Sequence, residues 1–344
     1  MAKIRVLVVD DSAYVVSSVT RRLHKEPDIE VIDTASNGAQ AIEKIKELRP
    51  DVVTLDIVMP EMDGLTALRY IMTECPTPVV MLSALTSDNA EPTIRALELG
   101  AVDFYLKPSS LKPYGENDEN NTLINKIKTA AKEDVSQKGT PLPRSTFKKK
   151  AYGQPHTDFK KLVIIGTSTG GPRALMQLVP SLPGNLSAGI LIVQHMPPMF
   201  TKSLAERLNL ASEIHVTEAG EGDEVQRGVA LLAPGDFHMV VNEKGHIHLT
   251  QDPPVLGVRP AADVTMRSVA NVYKNSTLGV VLTGMGMDGT EGSAFIKAAG
   301  GTVLAQDEAT SAVFGMPASV INAGRADKVV PLNKMAMEII RSCN

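Results

Sequence analysis

Ser168, His195 and Asp288 each stand just past a short apolar run in a 344-residue chain, and their side chains are those that nucleophilic acyl transfer requires. The run Leu162 to Ile165 leads into Gly166-Thr167-Ser168-Thr169-Gly170-Gly171-Pro172, followed by the helical pattern Arg173 to Val179. This is G-x-S-x-G in a strand–turn–helix setting, where a sharp turn raises a nucleophilic serine, and Pro172 suits a first helical position. Such a turn also suits a phosphate at a helix N-terminus, but no lysine occupies the P-loop position. A serine hydroxyl is a weak nucleophile without a base, and the base needs a third group to orient it. His195 offers a base at the end of Gly189 to Val193, within Gln194-His195-Met196-Pro197. Asp288 lies in the loop Thr283-Gly284-Met285-Gly286-Met287-Asp288-Gly289 after Leu278 to Leu282, where it orients the imidazole or merely caps a helix at Gly289. Among the other histidines, His24, His156, His215, His246 and His248 fall in helix, linker or strand contexts, and His238 precedes a strand. The order Ser, His, Asp is not that of α/β-hydrolases, but triads are recognised by role.

The first half carries a different constellation. Asp10-Asp11 follow Val6 to Val9, Asp56 follows Val52 to Leu55, and Ser83 follows Val79 to Leu82. Groups just past the carboxyl ends of parallel strands converge in one crevice. Carboxylates gathered there repel one another, and a hard divalent cation such as Mg²⁺ relieves the repulsion. A carboxylate held in this way can attack phosphorus, with the Lys107 ammonium and the Ser83 hydroxyl binding phosphoryl oxygens. A cis Lys107-Pro108 bond would fix the direction of the lysine. Singly, an Asp after a strand is as well read as a helix cap; the set carries the argument.

The elements that must position these residues are short buried strands alternating with helices. Arg5 to Val9, Val52 to Leu55 and Val79 to Leu82 are continuous apolar runs of the kind found in parallel sheets covered on both faces. Ala13 to Leu23, Gly38 to Leu48, Gly64 to Glu74 and Asn89 to Leu99 carry helical periodicity, and Leu123, Ile124, Ile127 and Ala131 fall on one face of a further helix. Residues 137–160 collect Gly, Pro, Ser, Thr and the run Lys148-Lys149-Lys150, which predicts an exposed linker. A second α/β pattern starts at Lys161, with strands Leu162 to Ile165, Gly189 to Val193, Val229 to Leu232, Leu278 to Leu282 and Thr302 to Ala305. His238 to Val241 and His246 to Leu249 alternate around Glu243-Lys244-Gly245, which predicts an antiparallel hairpin in or beside that sheet. The expected organisation is α/β throughout: two doubly wound domains, 1–136 and 161–344, joined by 137–160.

Composition narrows the function classes. A formal charge of -4, a pI near 6.0 and no basic half speak against nucleic-acid binding, which needs concentrated Lys and Arg. Apolar stretches such as Val79 to Leu82 and Ile190 to Val193 are far shorter than the roughly 20 residues of a membrane span. The run Val6 to Val9 enters Asp10-Asp11 directly and makes no secretory signal, so a cytoplasmic protein without membrane insertion is expected. Cys75 and Cys343 lack metal-ligand spacing and read as reduced thiols.

The first half resembles the receiver domains of two-component response regulators through Val8-Val9-Asp10-Asp11-Ser12, Asp56-Ile57-Val58-Met59-Pro60-Glu61-Met62-Asp63-Gly64, Ser83-Ala84 and Lys107-Pro108. That resemblance implies a flavodoxin-like domain with a five-stranded parallel sheet, Asp56 as phosphoacceptor, and Mg²⁺ held by Asp10, Asp11, Asp56 and the Val58 backbone carbonyl. Ser83 and Lys107 would sense the phosphoryl group, and Phe104 stands where many receivers carry a switching Tyr. The second half resembles the CheB family of chemotaxis methylesterases through Ile165 to Pro172, Gln194 to Pro197, Leu232 to Met239, Arg259-Pro260, Ala262-Asp263 and Thr283 to Gly289. It implies a larger Rossmann-like domain with a mostly parallel sheet, Ser168 as nucleophile, His195 as base and Asp288 as its orienting partner, with no cofactor. The Met285 and Thr169 backbone N–H groups would form the oxyanion hole. The implied substrates are glutamyl methyl esters on methylated chemoreceptors, hydrolysed to glutamate and methanol in chemotactic adaptation. The implied phosphodonor is a chemotaxis histidine kinase, and phosphorylation would release a receiver packed over the catalytic face. Deamidation of receptor glutamines is the alternative within the same chemistry; a binding output or a non-catalytic receptor adaptor would leave the triad without a use.

Overall fold

Apolar runs with no polar interruption become strands buried on both faces, and Asp10, Asp56, Ser83, Ser168, His195 and Asp288 stand at or just past their carboxyl ends. The computed structural model describes residues 3–107, 123–133, 135 and 160–343. Pro108 and nearly all of the expected linker, including Lys148 to Lys150, lie outside the described residues. The chain divides into two compact units, 1–143 and 144–344.

In the first unit, β1 (Ile4–Val9), β2 (Ile29–Ala35), β3 (Val52–Asp56), β4 (Val79–Ser83) and β5 (Asp103–Leu106) alternate with α1 (Ala13–Leu23), α2 (Gly38–Leu48), α3 (Gly64–Glu74), α4 (Ser87–Leu99) and α5 (Leu123–Ala130). The strands form one parallel sheet in the order β2-β1-β3-β4-β5, so the order reverses between β1 and β3 and opens a crevice there. Ser12, Asn37 and Asp63 start α1, α2 and α3 by accepting the backbone N–H groups of Val15, Gln40 and Thr66, which fixes where each helix leaves its strand end. Leu123 and Ile127 are buried on α5 as their spacing predicts, but Ala130 rather than Ala131 completes that face, and Ile124 and Ala131 are only partly buried.

The second unit contains β6 (Lys161–Thr167), α6 (Gly171–Leu178), β7 (Ala188–Gln194), α7 (Phe200–Ala211), β8 (His215–Glu218), β9 (Val229–Leu232), β10 (His238–Val241), β11 (Ile247–Thr250), α8 (Ala262–Tyr273), β12 (Thr277–Val281), α9 (Thr290–Ala298), β13 (Thr302–Gln306), α10 (Met316–Asn322), β14 (Lys328–Val330) and α11 (Leu332–Cys343). Seven strands pair in parallel in the order β14-β13-β12-β6-β7-β9-β8. The chain reverses direction across the sheet between β6 and β12, and the crevice beside β6 is the position where α/β sheets place their chemistry. The hairpin β10–β11 is a separate two-stranded sheet rather than part of the parallel one. It is tied to α8, where the Thr265 hydroxyl donates to the Met239 carbonyl at 2.6 Å and the Val241 N–H donates to Ser268 Oγ at 3.1 Å.

Besides the short edge strand β5, three strands have no counterpart among the strands named from the sequence. β2, β8 and β14 are sheet edges with mixed polar and apolar residues, so they lack the continuous apolar run that marks a central strand. Both cysteines are free thiols. Among the described residues no helix is long and apolar enough to cross a membrane.

Candidate active site and phosphoacceptor site

The strand order β12-β6-β7 sets three neighbouring carboxyl ends side by side, and Ser168, His195 and Asp288 follow β6, β7 and β12 respectively. Thr167 pairs with Gln194 at the end of the β6–β7 ladder, so Ser168 and His195 leave the sheet from adjacent positions. The His195 backbone N–H donates to the Thr167 carbonyl at 3.2 Å, which ties His195 to the Ser168 turn. His195 Nε2–H donates to Asp288 Oδ2 at 2.7 Å, with the two side chains only 7% and 3% exposed. That bond fixes the tautomer and leaves Nδ1 as the ring's basic nitrogen.

The Ser168 turn is locked to the loop after β12 by one threonine. Thr283 O accepts the Ser168 N–H at 3.0 Å and the Thr167 hydroxyl at 2.8 Å, while Thr283 Oγ1 donates to the Thr169 carbonyl at 2.9 Å. Gln306, fully buried, accepts the Thr283 N–H at 2.8 Å and holds the hub from β13. Gln194 reaches the same turn from β7, its amide donating to the carbonyls of Ser168 at 3.0 Å and His195 at 3.2 Å. Gly284 is required by packing: a Cβ there would meet Met316 Sδ and would lie 2.8 Å from Ser168 Cβ. Gly284→Ala is therefore expected to lower stability by about 1–3 kcal/mol and to displace the serine. Thermal unfolding of the full chain measures the first effect, and an unchanged midpoint would contradict the close approach.

Asp288 is 2% exposed and sits among donors. Oδ2 accepts the Ala262 N–H at 2.6 Å as well as His195, and Oδ1 accepts the N–H groups of Asp263 at 2.8 Å and Gly289 at 2.9 Å. Burial alone would push its carboxyl up, but the His195 bond and charge together with the Asp263 and Ala262 N–H groups outweigh it and hold the group below the usual carboxylate range. Asp288 does contact Gly289, yet its other backbone bonds go to the start of α8 rather than to its own helix. It is a charged, fully hydrogen-bonded acceptor facing an imidazole, an arrangement that stabilises imidazolium.

In the first unit, Asp10 after β1, Asp11, and Asp56 at the end of β3 bring carboxylate oxygens within 4.8 Å of one another. Lys107, after β5, places Nζ 2.7 Å from both Asp10 Oδ2 and Asp56 Oδ1. Burial raises the Asp56 carboxyl, the Lys107 hydrogen bond opposes that, and the Asp10 charge adds to the rise. Burial works against the Lys107 charge, but its bonds to Asp10 and Asp56 hold it above its ordinary value. Asp10 Oδ2 is buried and, the Lys107 ammonium apart, has no partner among the described residues. Three carboxylates facing one cation, with an acceptor to spare, fit a hard divalent metal ion. Gly64 is needed beside this site, because any Cβ would collide with the Asp56 carbonyl. The Ser83 hydroxyl is engaged with Thr93 Oγ1 at 2.9 Å.

Family models agree with this division: a CheB methylesterase model matches residues 163–339, and a response regulator receiver model matches residues 6–113. A curated protein of Symbiobacterium thermophilum named protein-glutamate methylesterase/protein-glutamine glutaminase is 48% identical, over 98% of this chain and 97% of its own length. The chain belongs to the CheB methylesterase family. It is a hydrolase with a response-regulator receiver ahead of the catalytic unit. A Pyrococcus abyssi protein of the same name is also 48% identical, over 99% of this chain and 94% of its own. The crystal structure of the Thermotoga maritima CheB methylesterase catalytic domain aligns with a TM-score of 0.52 at 49% identity, covering 53% of this chain and 97% of that one.

Several residues that organise this CheB site went without a role in the sequence reading. Thr283 and Asp263 lie inside the motifs that carried the resemblance, but nothing in spacing alone marks a hub threonine. His238 reads as a residue before a strand; it opens β10 and is buried, accepting the Ala261 N–H on Nδ1 at 3.2 Å and donating from Nε2 to the Pro253 carbonyl at 3.2 Å. Thr169 follows Ser168 in the chain, and Met285 follows Gly284, the residue packed against Ser168, so both expected oxyanion donors belong to segments that border the serine.

Proposed function

We propose that this chain hydrolyses glutamyl γ-methyl esters on chemoreceptors, with Ser168 as nucleophile, His195 as base and Asp288 as the group that orients and charges the imidazole. The observation that carries this reading is the buried 2.7 Å bond between His195 and Asp288 beside the Ser168 turn. Nδ1 of His195 takes the Ser168 proton as Oγ attacks the ester carbonyl, and backbone N–H groups of Met285 and Thr169 receive the oxyanion. The C–O bond to methoxide breaks, and the imidazolium protonates the departing methanol. Water then attacks the acyl-enzyme by the same route, giving free glutamate and restoring Ser168. A γ-carboxamide follows the same path with ammonia as leaving group, and the paired activity in the relatives' names favours that second substrate class.

In the receiver, Asp56 accepts a phosphoryl group from a histidine kinase of the chemotaxis system, and Ser83 and Lys107 bind its oxygens. Asp10, Asp11, Asp56 and the Val58 carbonyl would hold Mg²⁺, which when bound neutralises charge on the transferring group. Phosphorylation raises the esterase rate by shifting the population of receiver states. The test is methanol release from methylated receptor membranes, with and without Mg²⁺ and a small phosphodonor. Release stimulated by the phosphodonor is expected in the wild type, and Asp56→Asn is expected to bring the stimulation ratio to one. No release of methanol or ammonia from the wild type would overturn the hydrolase assignment, and stimulation retained in Asp56→Asn would move the switch elsewhere.

A further inference from the structure

Two helices meet behind the catalytic aspartate, and each lacks a capping side chain of its own. The N-cap positions of α8 and α9 are Ala261 and Gly289. Each helix is capped from the other instead: Asp288 accepts the Ala262 and Asp263 N–H groups at the start of α8, and Asp263 Oδ1 accepts the Gly292 N–H at 2.7 Å at the start of α9. Both carboxyls are buried, at 2% and 3% exposure, the Asp263 backbone joins them by donating to Asp288 Oδ1, and the Asp288 charge acts directly on the Asp263 carboxyl. A second buried carboxyl on the residue bonded to the one that supports the base is not needed to cap α9, since Ser or Asn would serve. It does place a second negative charge behind the imidazole.

We infer that Asp263 is a positioning residue of the esterase: it braces Asp288 across the α8–α9 junction, and its charge adds to that of Asp288 in holding the His195 imidazolium. This rests on the triad reading above. Burial first, then the Asp288 charge, push the Asp263 carboxyl up to about 6, against the opposing Gly292 and Gly289 N–H groups.

The other charged groups around α8 leave this pairing intact. His195 follows β7 and His238 opens β10, where burial holds the His238 pKa low and keeps the ring neutral. Glu291 in the first turn of α9 is exposed, and Lys297 near the end of that helix pairs with Asp327. Arg267 on α8 lies over the Phe295 ring at 5.1 Å, and Lys274 follows the far end of α8. β12 carries no charge, and the single charge on β6, Lys161, stands at the opposite end of its strand.

Asp263→Asn keeps an oxygen for the Gly292 N–H and removes only the charge. With one anion fewer behind it, His195 binds its proton less tightly. The acid limb of the kcat/KM profile for ester hydrolysis by the full chain is expected to move to lower pH by on the order of one unit. The rate at neutral pH is expected to fall several-fold, and the imidazole titration of His195, read by ¹⁵N NMR, to move in the same direction. Asp263→Ala is expected to lose the α9 cap as well, with a lower unfolding midpoint. An acid limb and an imidazole titration that stay in place in Asp263→Asn would reduce the residue to a helix cap and overturn the inference. If the wild type hydrolyses no ester, the triad reading falls by itself, and the NMR titration still decides whether Asp263 acts on His195.

Discussion

Ser168→Ala is expected to lower methanol release from methylated receptors by on the order of 10⁴-fold or more, because it removes the atom that forms the acyl-enzyme. The variant should fold normally. The bonds that hold the turn run through the Ser168 N–H and carbonyl, to Thr283 and Gln194, and alanine keeps both backbone groups. The loss should therefore appear in kcat, with receptor binding and the unfolding midpoint unchanged. His195→Ala should cost a similar factor, and the double variant should be little worse than either single one, since the two residues act as a unit. A Ser168→Ala protein that keeps a near-normal rate would remove the serine from the mechanism; one that has lost receptor binding would point instead to a collapsed turn.

Asp288→Asn is expected to lower kcat by about 10⁴-fold, by the reasoning that applies to any triad whose orienting carboxylate becomes an amide. The particular geometry here sharpens the expectation. Asp288 accepts four bonds, from Ala262, Asp263, Gly289 and His195, and both of its oxygens are occupied. An amide keeps one acceptor oxygen and turns the other position into a donor. Placed toward Oδ2, the NH₂ faces both the Ala262 N–H and His195 Nε2, which reverses the tautomer; placed toward Oδ1, it faces two backbone N–H groups. Either orientation leaves buried donors unsatisfied, at a cost of about 1–3 kcal/mol in stability. Rate and unfolding midpoint should therefore fall together, unlike in Ser168→Ala. Retention of both would show that Asp288 is not the carboxylate that holds the imidazole.

The legible part of the fold follows burial. β6, β7, β12 and β13 are central strands whose side chains are buried on both faces, so their sequences are uninterrupted apolar runs. α1, α2 and α3 span Ala13–Leu23, Gly38–Leu48 and Gly64–Glu74, the segments their helical periodicity marks. β2, β8 and β14 were not legible because an edge strand has one covered flank and tolerates polar residues. The hairpin was legible as alternation around Gly245, but its attachment was not: β10–β11 packs on α8 through Thr265 and Ser268, contacts that depend on a helix some 25 residues further along the chain.

The site divides in the same way. Residue type and position at strand ends determined by themselves that Ser168, His195 and Asp288 were the candidates in one half and Asp10, Asp11, Asp56 and Lys107 in the other, because chemistry of this kind needs those side chains at the carboxyl edge of a parallel sheet. Tertiary structure alone decided how they meet. The strand order β12-β6-β7 makes neighbours of residues 27 and 93 positions apart in sequence and puts Nε2, not Nδ1, of His195 on Asp288. It also brings α8 up behind the triad, so that Asp288 caps a helix it does not precede and Asp263 stands at its back. The physical reason is that hydrogen bonds and charge depend on distance through space, to which a linear pattern of residue types contributes only through the pairing of strands and the packing of helices.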